Sequence, residues 1–441
     1  MRIIYKLSIA LLLLPFMTIQ GQNVVTKSVG DSLSLSDVIS SVINNYPALK
    51  KAEKDVESAD AKIGLTKTAY LPDVNFSGSF TFLGPTTSLT MPGLGSFELY
   101  PPDNYSAAVT VNQSIYDFGK TDKNMALDQK NKEMVQLSTE QIKQRLSTAS
   151  MTSFYIINFL QQAIAIKDDQ LKNLNEHLQY VQKKVDTGSA TKYDILTTKV
   201  RISSIENQKT DLQTALQIQI SQLNSLLGKP QENPILIKNE IQVPKSVASA
   251  DSLCTVAYAN RAELKLARQK EEISKSRLEV IKVQNNPSLN AFATGGFKNG
   301  YFNEKYQDTG KLNFAVGVGL KVPIFDANRS KFHKIIANAD IEGNQQETEM
   351  ARRNITTEVV ECRANAESAL KKVKQSELQV QQAIQAYELA NVSYQAGAIT
   401  NLDLLDSYTA LSESKLGLFK TKIDYSVSQQ RLKIALGEKI Y

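Results

Sequence analysis

Steps of four and three residues pick out one continuous stripe: Ile355, Val359, Cys362, Ala366, Ala369, Val373, Ser376, Val380, Ala383, Tyr387, Ala390 and Tyr394. Such spacing, sustained over about six heptads, is the pattern of a helix packed along one seam with other helices. Most of the stripe is small, so neighbouring helices can approach closely. Moving 209 positions back (394 minus 185) gives the same register: Leu146, Ser150, Ser153, Ile157, Leu160, Ile164, Lys167, Leu171, Leu174, Leu178, Val181 and Val185. Two seams in one register predict a duplicated architecture of long helices.

The rest of the chain repeats around these seams. Asn45–Leu49 aligns with Asn260–Leu264 and Pro72 with Pro287, both 215 apart (260 minus 45, 287 minus 72). Ile115-Tyr116-Asp117 aligns with Ile324-Phe325-Asp326, Gly188 with Gly397, and Leu227-Gly228 with Leu436-Gly437, all 209 apart. The six-residue difference falls in the loop of a predicted hairpin, where length is free to vary. The spacing predicts a first repeat at 22–228, a connector at 229–250 and a second repeat at 251–441. Within the first, a hairpin is expected at 73–116, a long helix at 117–187 and a return helix at 191–227. The second places them at 288–325, 326–396 and 400–436. Gly188 and Gly397 are expected as left-handed caps where each long helix turns back.

The hairpins change the period from four and three to two. Val74, Phe76, Gly78, Phe80 and Phe82 alternate with Asn75, Ser77, Ser79 and Thr81, and 83–104 reads as a Pro/Gly-rich loop. Tyr105–Tyr116 alternates likewise, as does the run from Leu312 to Ile324. The apolar face so formed has no core partner left in the sequence. Strands of about ten residues, alternately apolar and polar, fit a barrel in an outer membrane, with Phe82, Tyr105, Tyr116 and Tyr301 near the strand ends. Four strands cannot close, and lipid does not tolerate an open sheet edge. Two copies would give eight strands and a filled interior, whereas three give twelve and room for a lumen. The expected fold is therefore an α+β membrane protein, a duplicated helical coiled-coil barrel continuous with a transmembrane β-barrel of four strands per chain.

An exported protein is also what the N-terminus predicts. Arg2 and Lys6, then an apolar run from Leu7 to Ile19 and the small Gly21, read as a secretory signal peptide at 1–21. Its removal leaves 49 basic against 45 acidic residues, a net charge of +4 instead of +6. That balance, without a basic stripe, excludes a nucleic-acid interface. With only Cys254 and Cys362, no disulfide scaffold is expected. No catalytic motif, metal cluster or cofactor-binding loop stands out, and the two histidines, His177 and His333, are both expected on exposed helix faces.

Several short motifs recur in order through the chain. They are Leu33-Ser34-Leu35-Ser36-Asp37-Val38 with Asn45-Tyr46-Pro47, the turns Tyr116-Asp117-Phe118-Gly119 and Phe325-Asp326, and the closing Leu-Gly pairs. The hairpin tips add Gly188-x5-Asp194-Ile195-Leu196 and Gly397-x5-Asp403-Leu404-Leu405. On these the whole mature chain resembles the TolC outer-membrane efflux protein family. The resemblance implies a trimeric twelve-stranded barrel fused to a twelve-helix periplasmic tunnel. Such a duct serves inner-membrane pumps through a periplasmic adaptor and is itself passive.

The same resemblance matches Asp403 and Asp406 to paired carboxylates ringing a periplasmic constriction, and Tyr394 to an aromatic that helps hold it shut. Asp194 is the equivalent of Asp403 in the first repeat. Ile399 stands where some relatives carry a basic residue. From the residues alone, Thr191-x-x-Asp194 and Thr400-x-x-Asp403 read as capping boxes, so Asp406, which capping does not need, is the better gate candidate. The rival readings are a periplasmic adaptor, which would carry one hairpin instead of two, and a secreted structural coiled coil or an unrecognised periplasmic enzyme.

Overall fold

The computed structural model describes residues 32–85, 88–93, 95–98, 101–239, 250–302 and 308–440. The signal peptide lies outside them, as does Gly21. Helices α1 (Leu35–Asn45) and α2 (Pro47–Lys67) lead through a 3-10 turn, Thr68–Tyr70, into β1 (Asp73–Phe82). The connection to β4 (Asp103–Tyr116) carries two short strands, β2 (Ser88–Met91) and β3 (Gly95–Glu98), paired with each other in a separate ribbon. The sequence predicted only a loop at 83–104. Its turn residues Gly93 and Gly95, both at positive φ, instead let the short apolar run fold back on itself. The long helix α3 (Lys120–Asp186) and return helix α4 (Lys192–Leu227) complete the first repeat. The second runs α5 (Ala250–Asn260), α6 (Ala262–Val283), β5 (Ser288–Phe302), β6 (Asp308–Lys321), α7 (Arg329–Gln395) and α8 (Asn401–Ala435).

The two long helices have 67 residues each, about 100 Å at 1.5 Å per residue. All twelve seam positions on each are buried or half-buried. The long helices begin three residues later than predicted because a turn precedes each. Asp117 accepts hydrogen bonds from the Gly119 and Thr121 amides at 3.0 and 2.7 Å, and Asp326 accepts one from the Ser330 amide at 3.0 Å. Phe118 (φ 54°) and Gly119 (φ 86°) match Ala327 (φ 55°) and Asn328 (φ 63°), so the duplication extends to backbone angles. The Ser330 hydroxyl, the Ser330 amide and Asn285 all donate to Asp326 and hold its carboxyl down at about 2.

Helix packing makes one wall four helices wide. Near the sheet the order is α2, α3, α6, α7; towards the far end α4 replaces α2 and α8 replaces α6. Each shorter pair therefore stacks end to end beside a long helix. The sheet is ordered β1-β4-β5-β6, antiparallel throughout. Each strand is continuous in sequence with the helix at the same place in the wall: β1 with α2, β4 with α3, β5 with α6 and β6 with α7. β1 and β6 are thus free edges on the same sides as α2/α4 and α7.

Register aligns the apolar residues across all four strands. Val74, Val111, Ala293 and Val316 form one row, and Phe76, Val109, Gly295 and Phe314 the next. The opposite face pairs Thr110 with Thr294, hydroxyl to hydroxyl at 3.3 Å, and Ser79 with Ser106 at 2.9 Å. Leu312 and Phe314 are 86% and 85% exposed in the protomer, so no described part of the protein covers the apolar face there. β6 stops at Lys321, three residues short of the alternation that predicted Ile324, since Pro323 has no amide to continue the ladder. No described helix is long and apolar enough to cross a membrane.

Buried side chains gather at mid-wall and again near the hairpin tips. Val38 and Val42 of α1 pack with Phe154 and Ile157 of α3 and Leu223 of α4. Leu253 and Ala257 of α5 play the same part against Ile355 and Val359 of α7.

Candidate functional site at the hairpin tips

Each long helix ends the same way. Gly188 and Gly397 both sit at φ 76°. The following amide bonds five residues back, Ser189 to the Lys184 carbonyl at 2.7 Å and Ala398 to the Ser393 carbonyl at 2.8 Å. This six-to-one bond with a left-handed glycine closes the orphan carbonyls of the helix end. The return helices open with capping boxes. The Thr191 amide donates to Asp194 at 2.9 Å and the Asp194 amide to the Thr191 hydroxyl at 3.3 Å. Thr400 and Asp403 repeat both bonds, at 2.9 and 3.2 Å. The Thr400 hydroxyl, at 2.7 Å, and the Thr400 amide both donate to the Asp403 carboxylate and hold it below its ordinary range.

Asp406 is also engaged. Its carboxylate lies 2.6 Å from the Arg201 guanidinium of α4, so one ion pair ties the two return helices together. Below it, Leu174 of α3, Ile202 and Ile205 of α4 and Leu405 of α8 form a small apolar core. Beside this core the Asn173 side-chain amide donates to the Tyr408 hydroxyl at 2.8 Å, and Tyr408 meets the Tyr387 ring at 5.2 Å.

Tyr394 sits in a cluster of rings. It lies 5.6 Å from His177 and 6.3 Å from Tyr180, with the Lys184 ammonium 4.5 Å from its centroid. Burial pushes the Tyr394 hydroxyl up, and Asp194 nearby adds to the rise. Here the expectation for His177 is corrected: it is half-buried, since it shares a column with the buried Gln170, Leu174 and Val181 beside the seam. The Asn401 side-chain amide donates to the Asp194 carbonyl at 3.3 Å and to the Thr198 hydroxyl at 3.2 Å. Its oxygen is therefore the acceptor for His177 Nε2, 2.6 Å away. Burial lowers the imidazole pKa, the Asn401 bond opposes that, and Lys184 adds to the fall. His333 is exposed.

The structure thus brings Asp194, Asp403, Asp406 and Tyr394 to one end of the protomer, together with Gly188, Gly397, Thr191 and Thr400. Sequence reasoning missed Arg201, His177, Asn401 and Lys184. A signal existed in the repeat alignment, because these are places where the halves diverge: Arg201 faces Ala410, Asp406 faces Thr197, and His177 faces Ala386 at the 209 offset. Among the described residues no cluster of His, Cys, Asp and Glu fits a metal ion. The arrangement holds helices together and presents carboxylates and rings at one end of the protomer.

Comparison with known proteins agrees with this geometry. A family profile described as "Outer membrane efflux protein" matches residues 38–229 and 253–438, both repeats. The outer membrane protein TolC of Escherichia coli K12 is 20% identical over 93% of this chain and 83% of its own. The proteases secretion protein PrtF of Dickeya chrysanthemi is 21% identical over 85% and 81%. The crystal structure of the outer membrane protein VceC from Vibrio cholerae superposes with a TM-score of 0.74 at 18% identity, covering 92% of this chain and 97% of that one.

Proposed function

The chain belongs to the outer membrane efflux protein family, and from that premise we propose that three copies assemble into a passive exit duct for a tripartite efflux or secretion system. It is an outer-membrane channel protein with a periplasmic extension, and it is not an enzyme. The observation that carries the trimer is the pair of free edges, β1 and β6, at opposite sides of a four-stranded sheet whose apolar face is bare. Unpaired edges cost several kcal/mol per unsatisfied group in lipid. Head-to-tail pairing of β6 with the β1 of a second copy satisfies both, and three copies give twelve strands around a lumen.

Energy comes from an inner-membrane pump, reached through a periplasmic adaptor that docks at the helical tips around Gly188 and Gly397. PrtF bears the name of a secretion protein and the family that of efflux, so substrate class stays with the pump. The gate is the tip itself, with Asp194, Asp403, Asp406 and Tyr394 converging from three copies. In this reading Asp406 is restrained by Arg201, and Asp403 is the exposed carboxylate that meets ions first.

Reconstitution into planar lipid bilayers tests the duct. Discrete single-channel steps are expected, with larger steps for the Asp403→Ala, Asp406→Ala double variant. Protein that inserts without conducting, or that remains in the soluble periplasmic fraction, rules the duct out.

A further inference from the structure

The two edges of the helical wall carry matching apolar stripes near the tips that nothing among the described residues covers. On α4, Thr198, Ile202 and Ile205 face α3 and the tip core. At 100° per residue, Leu196 and Val200 lie two positions either side of Thr198, about 200° away and so on the opposite face. They are 60% and 70% exposed, and Tyr193 joins them. On α7 the packed positions are Tyr387, Ala390 and Tyr394; Val392 lies two positions from both Ala390 and Tyr394, on the opposite face, and Leu389 lies two positions beyond Tyr387, about 60° from Val392 on the same outward side. They are 71% and 65% exposed.

The two stripes sit at similar heights. Leu196 is eight residues beyond Gly188 and Leu389 eight before Gly397 (196 minus 188, 397 minus 389); within the helices Leu196 lies four residues from the start of α4 at Lys192 and Leu389 six from the end of α7 at Gln395, about 6 and 9 Å along the two axes. Tyr193 and Val392 are likewise five residues from their turns. Charge is complementary as well: the exposed Lys192 and Lys199 flank the α4 stripe, and the exposed Glu388 flanks that on α7. Because α4 and α7 occupy the two outer positions of the wall, the stripes cannot meet within one chain.

We propose that Leu196 and Val200 of one copy pack against Leu389 and Val392 of the next, forming an apolar clasp that holds neighbouring tips together. Its occupant is a second copy of this chain. The α4 and α7 edges lie on the same sides as the free β1 and β6 edges, so one head-to-tail relation between copies joins both, as a closed ring requires. This rests on the trimer reading above and adds the residues by which the periplasmic mouth is held. Opening the mouth then means separating apolar surface as well as breaking polar contacts.

The test is chemical cross-linking of the full chain, solubilised in mild detergent, carrying Leu196→Cys and Leu389→Cys. A short bismaleimide is expected to give covalent dimers and trimers with the double variant and neither with the single variants. Native mass spectrometry on the same sample reports the oligomer independently. A trimer by mass without inter-chain cross-links overturns the clasp and leaves the duct intact; a monomer by mass overturns both. A trimer in which Leu196→Cys reacts fully with a bulky maleimide also overturns the clasp and hands the stripe to the adaptor. As a second readout, Leu389→Asp is expected to keep the trimer by mass but abolish cross-linking between Val200→Cys and Val392→Cys; unchanged cross-linking counts against an apolar contact.

Discussion

The Arg201 guanidinium donates to the Asp406 carboxylate at 2.6 Å, joining α4 of the first repeat to α8 of the second. Asp406 is 62% exposed at its side chain, so solvent screens the pair and its contribution to stability is about 0.2–1 kcal/mol. In the proposed duct its larger effect is on charge at the mouth. Arg201→Ala unmasks the carboxylate and is expected to strengthen block of bilayer currents by trivalent cations, while Asp406→Ala weakens it. Equal block in both variants removes Asp406 from the ion path.

A pH dependence follows from His177. Burial depresses its pKa below the ordinary 6.5, so the unfolded tip binds more protons than the folded one in the window beneath that value. The stabilising contribution is full above 6.5 and is lost as pH falls. The facing groups are Tyr180 and Lys184 on α3, Tyr394 on α7 and the uncharged Asn401 on α8; a protonated imidazole adds a second cation beside Lys184. Amide hydrogen exchange at the tips is expected to quicken between pH 7 and pH 5. His177→Gln, which keeps a donor for Asn401 without a titrating group, is expected to abolish that change.

The turn glycines give a third prediction. A Cβ at Gly188 or Gly397 would meet no atom within 4 Å, so only the positive φ opposes substitution. Each alanine variant is expected to lose about 1–2 kcal/mol at the tip, read as local exchange rates with no change in oligomer mass. Thr191→Ala removes one capping oxygen and is expected to cost a further ~1 kcal/mol in the same measurement.

The sheet provides a fourth. Val316 belongs to the bare apolar face and Asn313 to the other. Val316→Lys is expected to destabilise the membrane-inserted protein by about 2–4 kcal/mol, measured by denaturant titration in detergent or lipid. Asn313→Lys is expected to change conductance with little effect on stability. Equal destabilisation by both contradicts the assignment of faces.

Periodicity made the framework legible. A stripe repeated at a 209-residue offset is a local property of sequence, and every position in it is buried or half-buried. Glycines and capping boxes are local too, which is why Gly188, Gly397, Thr191 and Thr400 could be read directly. The pairs that complete the tip were not legible, because Arg201 and Asp406 are 205 residues apart and His177 and Asn401 are 224 apart. Nothing local distinguishes them from solvated residues; only the wall order, with α8 laid between α3 and α7, brings them together. Helix starts were misjudged by three residues because the carboxylates of Asp117 and Asp326 hold a left-handed turn that hydrophobic spacing does not record.

The central claim is that this sheet spans a membrane only by borrowing neighbours. Native mass spectrometry of the detergent-solubilised protein measures that directly. A single species with three times the mass of the mature chain is expected. A stable monomer, or a dimer whose eight strands leave no lumen, would contradict it.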